Sequence, residues 1–200
     1  MKLKINNTEI TVSEGEKLIE VARRNDIEIP ALCYLAGYQH HPSCMVCLVK
    51  DCVSNQMIPS CSKLVSDGMV IETDSEEIKQ LRRMALELLL SDHIAVCRPP
   101  CEPKKCKLRQ YANAYHAKIN TYPRYSAIKE STPQHIKGNF WFDVTKCIRC
   151  GLCVYNSTDG FTFKDRGFGM KVVLPEESKQ HVNESLCDIC PTQALYKVEN

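Results

Sequence analysis

Hydrophobic and polar positions alternate from the first residues of the chain. Lys2-Leu3-Lys4-Ile5-Asn6 has the period of two that a half-buried strand requires. Asn6-Asn7 is a turn signal, and Glu9–Val12 reads as the returning strand. Ser13-Glu14-Gly15-Glu16 has the form of a capping box, which predicts a helix burying Leu18, Ile19, Val21 and Ala22. Ile29-Pro30 ends that regular stretch and leads to Cys33. Val46–Lys50, Gln56–Ser60 and Gly68–Thr73 supply three more short strand candidates. Two strands, a helix, a cysteine loop and further strands predict a small α+β unit over residues 1–75.

The period then changes from two to that of a helix. Asp74 with Glu77 is expected to cap a helix whose stripe of Ile78, Leu81, Met84, Ala85, Leu88 and Leu89 faces a core. Its end delivers Asp92-His93 to a compact cysteine cluster. Residues 107–118 predict a second helix, with Leu108, Tyr111, Ala112 and Tyr115 on one side, closing a helical unit over 76–118. Pro123, Pro133 and Gly138 interrupt a stretch of little periodicity, so 119–139 reads as a connecting segment. A last small unit spans 140–200.

Composition narrows the function classes. The 200 residues carry a formal net charge of only +2, so the whole chain is no strong polyanion binder. Residues 1–92 hold 10 Lys and Arg against 14 Asp and Glu, whereas residues 93–130 hold 8 against 2. Tyrosines interleave with that basic middle, but basic groups near thiolate-bound, net-negative centres account for it without nucleic acid. No apolar stretch follows the basic start, and runs such as Leu88-Leu89-Leu90 are far too short to cross a bilayer, so no membrane insertion is expected. The 13 cysteines are an odd number and cannot all close into internal disulfides. In a reducing cytoplasm, the expected location, many thiols at short spacings point to metal.

Three constellations emerge. Cys33, Cys44, Cys47 and Cys61 offer four thiolates, two of them a tight pair just before a strand, suited to tetrahedral iron or zinc. His93, Cys97, Cys101 and Cys106 make one imidazole and three thiolates, a set that by itself suits zinc equally well. Cys147-x2-Cys150-x2-Cys153 is a cubane signal, because consecutive turns can aim three thiolates at one face of a cluster. Ser157 stands where two-cluster ferredoxins have a further cysteine, and Cys187 and Cys190 follow at a distance. Cys52 has no place in these sets.

Taken in order, the three sets resemble the N-terminal region of the large iron–sulfur subunit of NADH:quinone oxidoreductase (complex I). The same arrangement opens the diaphorase subunits of NAD-linked hydrogenases and the FeFe hydrogenases. The words carrying the likeness are Pro42-Ser43-Cys44-Met45-Val46-Cys47, the helix end Glu87–His93, and Cys190-Pro191-Thr192. The resemblance implies a β-grasp 2Fe–2S ferredoxin domain, a small helical His/Cys3 4Fe–4S domain and a ferredoxin-like 4Fe–4S domain. It assigns Cys33, Cys44, Cys47 and Cys61 to one 2Fe–2S cluster. His93, Cys97, Cys101 and Cys106 take a 4Fe–4S cluster, and Cys147, Cys150, Cys153 and Cys190 a second, with Cys187 the alternative fourth ligand. Two departures stand out. Cys101 gives C-x3-C-x4-C where the family has C-x2-C-x5-C, which keeps a glutamate-synthase-like partner in view, and Gln193 replaces the glycine of a Cys-Pro-Thr-Gly signature.

Absent motifs complete the expectation. No G-x-G-x-x-G follows a strand and no Walker-type loop is present; Gly167-Phe168-Gly169 reads as a turn. The chain, ending at Asn200, therefore resembles the short diaphorase-type subunit. The implied function is a non-catalytic relay of single electrons between a flavin- and NAD(P)H-binding subunit and a terminal redox subunit. That terminal enzyme could be a hydrogenase or a formate dehydrogenase. An iron–sulfur redox sensor and a zinc-stabilised interaction module are the alternatives.

Overall fold

A computed structural model describes residues 1–93, 102, 104–123, 132–158 and 160–198. Strands β1 (Lys2–Ile5) and β2 (Thr8–Thr11) form the expected hairpin, turned at Asn6 with φ of 54°. Helix α1 (Leu18–Arg24) follows, then β3 (Leu48–Asp51), β4 (Gln56–Pro59) and β5 (Val70–Glu72). The five strands make one mixed sheet in the order β2-β1-β5-β3-β4, with β1 and β5 parallel and the other neighbours antiparallel. Alternation along β1 aims Leu3 and Ile5 at one face, where they meet Leu18, Ile19, Val21 and Ala22 of α1.

The capping box is only half realised. Glu16 Oε2 accepts from the Ser13 backbone N–H at 2.8 Å, but the helix begins at Leu18 after an extended Lys17 with no side-chain cap. Gly15 at φ of 83° and a bridge from Lys17 to Leu64 delay helical backbone by a turn.

Helix α2 (Glu76–Asp92) differs from its expected stripe. Its buried positions are Ile78, Arg82, Leu86, Glu87, Leu90 and Ser91, while Met84 and Leu88 are exposed. The buried face follows i, i+4 spacing through Ile78, Arg82, Leu86 and Leu90, and a charged residue occupies one of its four places. Arg82 donates from Nη2 and Nε to the Leu48 carbonyl at 2.8 and 3.2 Å, and from Nη1 to the Tyr115 hydroxyl at 3.0 Å. Those partners make a buried guanidinium tolerable, and hydrophobicity alone does not reveal them. Nor does Asp74 cap the helix; Ser75 is the N-cap residue, without a side-chain cap bond, and Asp74 pairs with Lys79 at 3.2 Å. Helix α3 (Lys107–Ala114) is shorter than expected but buries Leu108 and Ala112 as read.

The segment expected to be a connector contains a strand. β6 (Gln134–Lys137) pairs with β7 (Phe140–Phe142), which also pairs with β10 (Leu195–Lys197) in an antiparallel sheet ordered β10-β7-β6. A register shift between His135 and Lys137 breaks the alternation there, which is why period-two reading passes over it. Beside it, β8 (Thr162–Lys164) pairs with β9 (Lys171–Val173), and short helices α4 (Leu152–Tyr155) and α5 (Leu186–Ile189) complete the unit. Phe140, Phe142, Phe161, Leu152, Val172 and Leu186 fill its core. Gly167–Gly169 is a 3-10 turn. No described helix is long and apolar enough to cross a membrane.

Arg82→Ala should destabilise the chain by about 3 kcal/mol, since it opens a cavity and strands the Leu48 carbonyl. Lys79→Ala, which loses only a solvated ion pair on the same helix, should cost roughly 0.5 kcal/mol or less. Denaturant unfolding of the two variants checks the difference.

Candidate metal centres

The first cysteine set is assembled by hairpin register. Leu48 faces Pro59 across β3 and β4, so Cys47, just before β3, and Cys61, just after β4, emerge side by side. Ser60, fully buried, reinforces this by donating from its N–H and its Oγ to the Cys47 carbonyl at 3.2 and 2.8 Å. Cys33 and Cys44 come from the long loop between α1 and β3, their sulfurs 3.4 Å apart. All four thiols are buried.

Their protonation is coupled. Hydrogen bonds shared with the thiols of Cys44 and Cys61 hold the Cys33 thiol far below its ordinary value. The bond shared with Cys61 likewise lowers Cys47, to about 7. Cys44 and Cys61 are pushed up by the same sulfur–sulfur bonds and by burial. Backbone amides also approach these sulfurs, from Ser43 and Cys44 to Cys33 and from Leu32 and Val46 to Cys44. Thiolates this close in an apolar pocket repel unless a cation joins them, and amide donors to sulfur are the partners that tune an iron–sulfur centre. The donor set and its surroundings fit such a group. Among the described residues, no three His, Cys, Asp or Glu side chains are drawn around a single ion position. The sulfur contacts are pairwise, Cys33 with Cys44 and Cys61, and Cys61 with Cys47.

Cys147, Cys150 and Cys153 lie on the turn and helix start before and within α4. Burial raises all three thiols, Cys147 to about 12. Their mutual influence distinguishes the two remote cysteines. The charge of Cys190 acts on Cys147, Cys150 and Cys153. Cys187 is raised to about 12 by burial first; Lys197 opposes that rise, and the only thiol acting on it is Cys190. Cys187 and Cys190 both pack against the same core as Cys147, Cys150 and Cys153, and it is the charge of Cys190 that bears on all three.

Ligand-bearing loops share a backbone device. Met45, between Cys44 and Cys47, has φ of 54°; Arg149 and Gly151, between successive cysteines of the later run, have φ of 56° and 79°. One left-handed residue per C-x2-C turns consecutive sulfurs toward a common side and frees amides to face them. The Arg149 N–H donates to Cys147 Sγ at 3.4 Å.

Of the second set, His93 and Cys106 are described; Cys97 and Cys101 lie outside the described residues. His93 closes α2, its N–H donating to the Leu90 carbonyl at 3.1 Å. Burial lowers its pKa, Asp143 opposes that shift and Lys146 adds to it, so the imidazole is kept neutral, as a metal ligand must be. Its Nδ1 is buried with no hydrogen-bond partner among the described residues. A neutral ring with an orphaned lone-pair position fits a ligating histidine. Cys106 is buried at the N-cap of α3.

The three sets converge. Leu32, Cys33, Cys44, Val46, Leu86, Leu90, Cys106, Leu108, Ala112 and Ile148 form one apolar cluster, with Cys150 packed against it. The Cys33 charge is felt at Cys150. None of the described cysteines is in a disulfide, and Cys52 sits exposed in the β3–β4 turn, apart from all three sets. Sequence reading missed Ser60, which carries no signal beyond its place beside Cys61. It also missed the Arg149–Asp92 ion pair, although both residues adjoin expected ligands.

Two parts of the chain match known iron–sulfur domain families. Residues 1–76 match the family described as 2Fe-2S iron-sulfur cluster binding domain, and residues 140–196 the family described as 4Fe-4S single cluster domain. The chain's homologues include the G chain of NADH-quinone oxidoreductases and components of NAD-reducing hydrogenases. It is 32% identical over 204 residues to the NADH-quinone oxidoreductase G chain of Rickettsia felis, covering 98% of this chain and 30% of that protein. It is 25% identical over 200 residues to the gamma chain of the NAD-reducing hydrogenase HoxS of Cupriavidus necator, covering 98% of this chain and 81% of the relative. A crystal structure of an NAD+-reducing NiFe-hydrogenase in the H2-reduced state shares the fold, with a TM-score of 0.77 over 86% of this chain and 74% of that one at 24% identity. The chain thus carries 2Fe–2S and 4Fe–4S ferredoxin-type domains of mixed α and β content.

Gly151→Ala tests the left-handed turn in the cysteine run. An added Cβ would meet Tyr155 Cε2 at 2.6 Å, whereas at Gly15, also left-handed, it would meet nothing within 4 Å. Each change costs roughly 1–2 kcal/mol in backbone strain. Thermal unfolding should therefore show the larger loss for Gly151→Ala, together with reduced iron retention that Gly15→Ala does not cause.

Proposed function

We propose that the chain is an electron relay of an NAD(P)H-linked oxidoreductase, holding one 2Fe–2S and two 4Fe–4S clusters in three linked units. The first unit is a β-grasp domain whose Cys33, Cys44, Cys47 and Cys61 hold the 2Fe–2S cluster. His93, Cys97, Cys101 and Cys106 hold one 4Fe–4S cluster in the helical unit. Cys147, Cys150, Cys153 and Cys190 hold the other in the C-terminal unit. Bound iron–sulfur clusters supply reversible one-electron transfer at potentials set by ligand type, burial and hydrogen bonds to sulfur.

The observation that carries this reading is the single apolar cluster shared by Cys33, Cys44 and Cys106, with Cys150 against it. Electron tunnelling falls steeply with distance, so a relay must keep its centres close and dry. A core in or against which at least one ligand of each set packs serves both ends. Each ligand set also has a fixed chemical task. Backbone amides at Cys33, Cys44 and Cys147 offset thiolate charge. His93 contributes a neutral ring, which raises the potential of its centre relative to four thiolates. Cys190 rather than Cys187 completes the last set, a choice favoured by its electrostatic contact with all three neighbours.

Relatives that are named as subunits of an NADH-quinone oxidoreductase and of an NAD-reducing hydrogenase support a place in a multi-subunit NADH-linked enzyme; in this reading its partners are a flavin- and NAD(P)H-binding subunit and a terminal redox subunit. A reducing cytoplasm suits a chain with this many reduced thiols.

Anaerobically purified protein should contain about ten iron atoms per chain with matching acid-labile sulfide; zinc without sulfide would contradict the relay. His93→Ala should remove or alter one 4Fe–4S paramagnetic signal and spare the other two centres. Cys190→Ser should abolish the other 4Fe–4S signal while Cys187→Ser leaves it unchanged. The reverse result would give the ligand role to Cys187.

A further inference from the structure

Gln193 combines two features that call for an explanation. Its backbone is left-handed, with φ of 54°, a conformation that costs a residue with a Cβ roughly 1–2 kcal/mol and glycine almost nothing. Its side chain is spent on the backbone of one distant residue. Oε1 accepts from the Glu102 N–H at 3.0 Å, and Nε2 donates to the Glu102 carbonyl at 2.6 Å. Both polar atoms of the carboxamide thus engage one peptide segment, as a neighbouring strand would. The Lys107 N–H adds a third link by donating to the Pro191 carbonyl at 2.8 Å.

The location of Glu102 gives these bonds a purpose. Its carbonyl also accepts from the N–H groups of Lys105 and Cys106, at 2.9 and 3.2 Å, and so forms the hub of the turn that presents Cys106. Gln193 lies three residues after Cys190. At the other end of the two ligand sets, Arg149, in the turn between Cys147 and Cys150, pairs with Asp92, which precedes His93. The second and third ligand sets are therefore tied together at both ends, next to their ligands.

We propose that Gln193 is a positioning residue that braces the Cys106 turn of the second centre against the Cys190 loop, and so holds the two 4Fe–4S centres in a fixed relation. This rests on the ligand assignment proposed above. The brace acts mainly on the second centre. The Cys190 loop has its own support from α5, where the Cys190 N–H donates to the Cys187 carbonyl at 3.3 Å, and from the sheet that β10 joins. The turn around Glu102 is closed by the Lys105 and Cys106 N–H groups, and Gln193 fixes that closed turn to the Cys190 loop.

The test uses the full chain, purified anaerobically with its clusters, as wild type, Gln193→Gly and Gln193→Asn. Glycine relieves the left-handed backbone and deletes the amide. Asparagine tolerates the same φ but is one methylene too short to span the gap. Both variants should fold. Iron release to an added chelator should be about tenfold faster from the second centre, in line with loss of a group that orients metal ligands. Its paramagnetic signal, and its magnetic interaction with the neighbouring 4Fe–4S centre, should broaden. The 2Fe–2S signal and the signal lost in Cys190→Ser should stay as in wild type. Wild-type release rates and spectra in both variants would overturn the brace, as would selective loss of the Cys190 centre. Wild-type protein with no second 4Fe–4S signal would instead defeat the ligand assignment, and the brace with it.

Discussion

Everything in this molecule depends on burying cysteine sulfur in an apolar core shared by four segments of the chain. Leu32, Cys33, Cys44 and Val46 come from a loop of the first sheet, Leu86 and Leu90 from α2, Leu108 and Ala112 from α3, and Ile148 from the turn before α4. Such a core lowers the local dielectric, so charge on any thiolate is felt further and must be offset. The offsets are local: amides turned toward sulfur, thiols that share protons, and basic groups on the neighbouring loops. A chain assembled this way gains little from its sulfurs unless cations join them. Its architecture and its cofactor chemistry are one requirement.

Regular structure sets how closely the sulfurs approach. The β3–β4 register sets Cys47 beside Cys61, and the end of α2 carries His93 toward Asp143 and Lys146. Irregular structure sets their direction, through left-handed residues at Met45, Arg149, Gly151 and Gln193. Strain of that kind persists where surrounding contacts over-determine it, and three of the left-handed residues other than glycine, Met45, Arg149 and Gln193, stand close to expected ligands. Arg82 links the two levels. Its guanidinium fastens α2 to β3 through the carbonyl that follows Cys47 and reaches α3 through Tyr115.

Cysteine spacing made the candidate sites legible, because ligand geometry is local and few other uses require several thiols so close together. The first sheet was legible for a similar reason: Leu3, Ile5 and Ile10 alternate without interruption. What escaped was tertiary. Arg82 occupies a core-facing helix position through hydrogen bonds to partners far away in sequence, so the expected stripe is right at Ile78, Ala85 and Leu89 but also takes in Met84 and Leu88, which are exposed. β6 escaped because its register slips at Ile136. The signature Cys190-Pro191-Thr192 is what favours Cys190 over Cys187 in the sequence, and the influence of the Cys190 charge on Cys147, Cys150 and Cys153 appears only in the fold.

The most direct test is to locate the metals. Crystals of the anaerobically purified chain, measured on either side of the iron absorption edge, would show anomalous density wherever iron is bound. Three separate iron peaks are expected, among Cys33, Cys44, Cys47 and Cys61, beside His93 and Cys106, and among Cys147, Cys150, Cys153 and Cys190. Density at the zinc edge in their place, or iron at only one of the three positions, would contradict the relay.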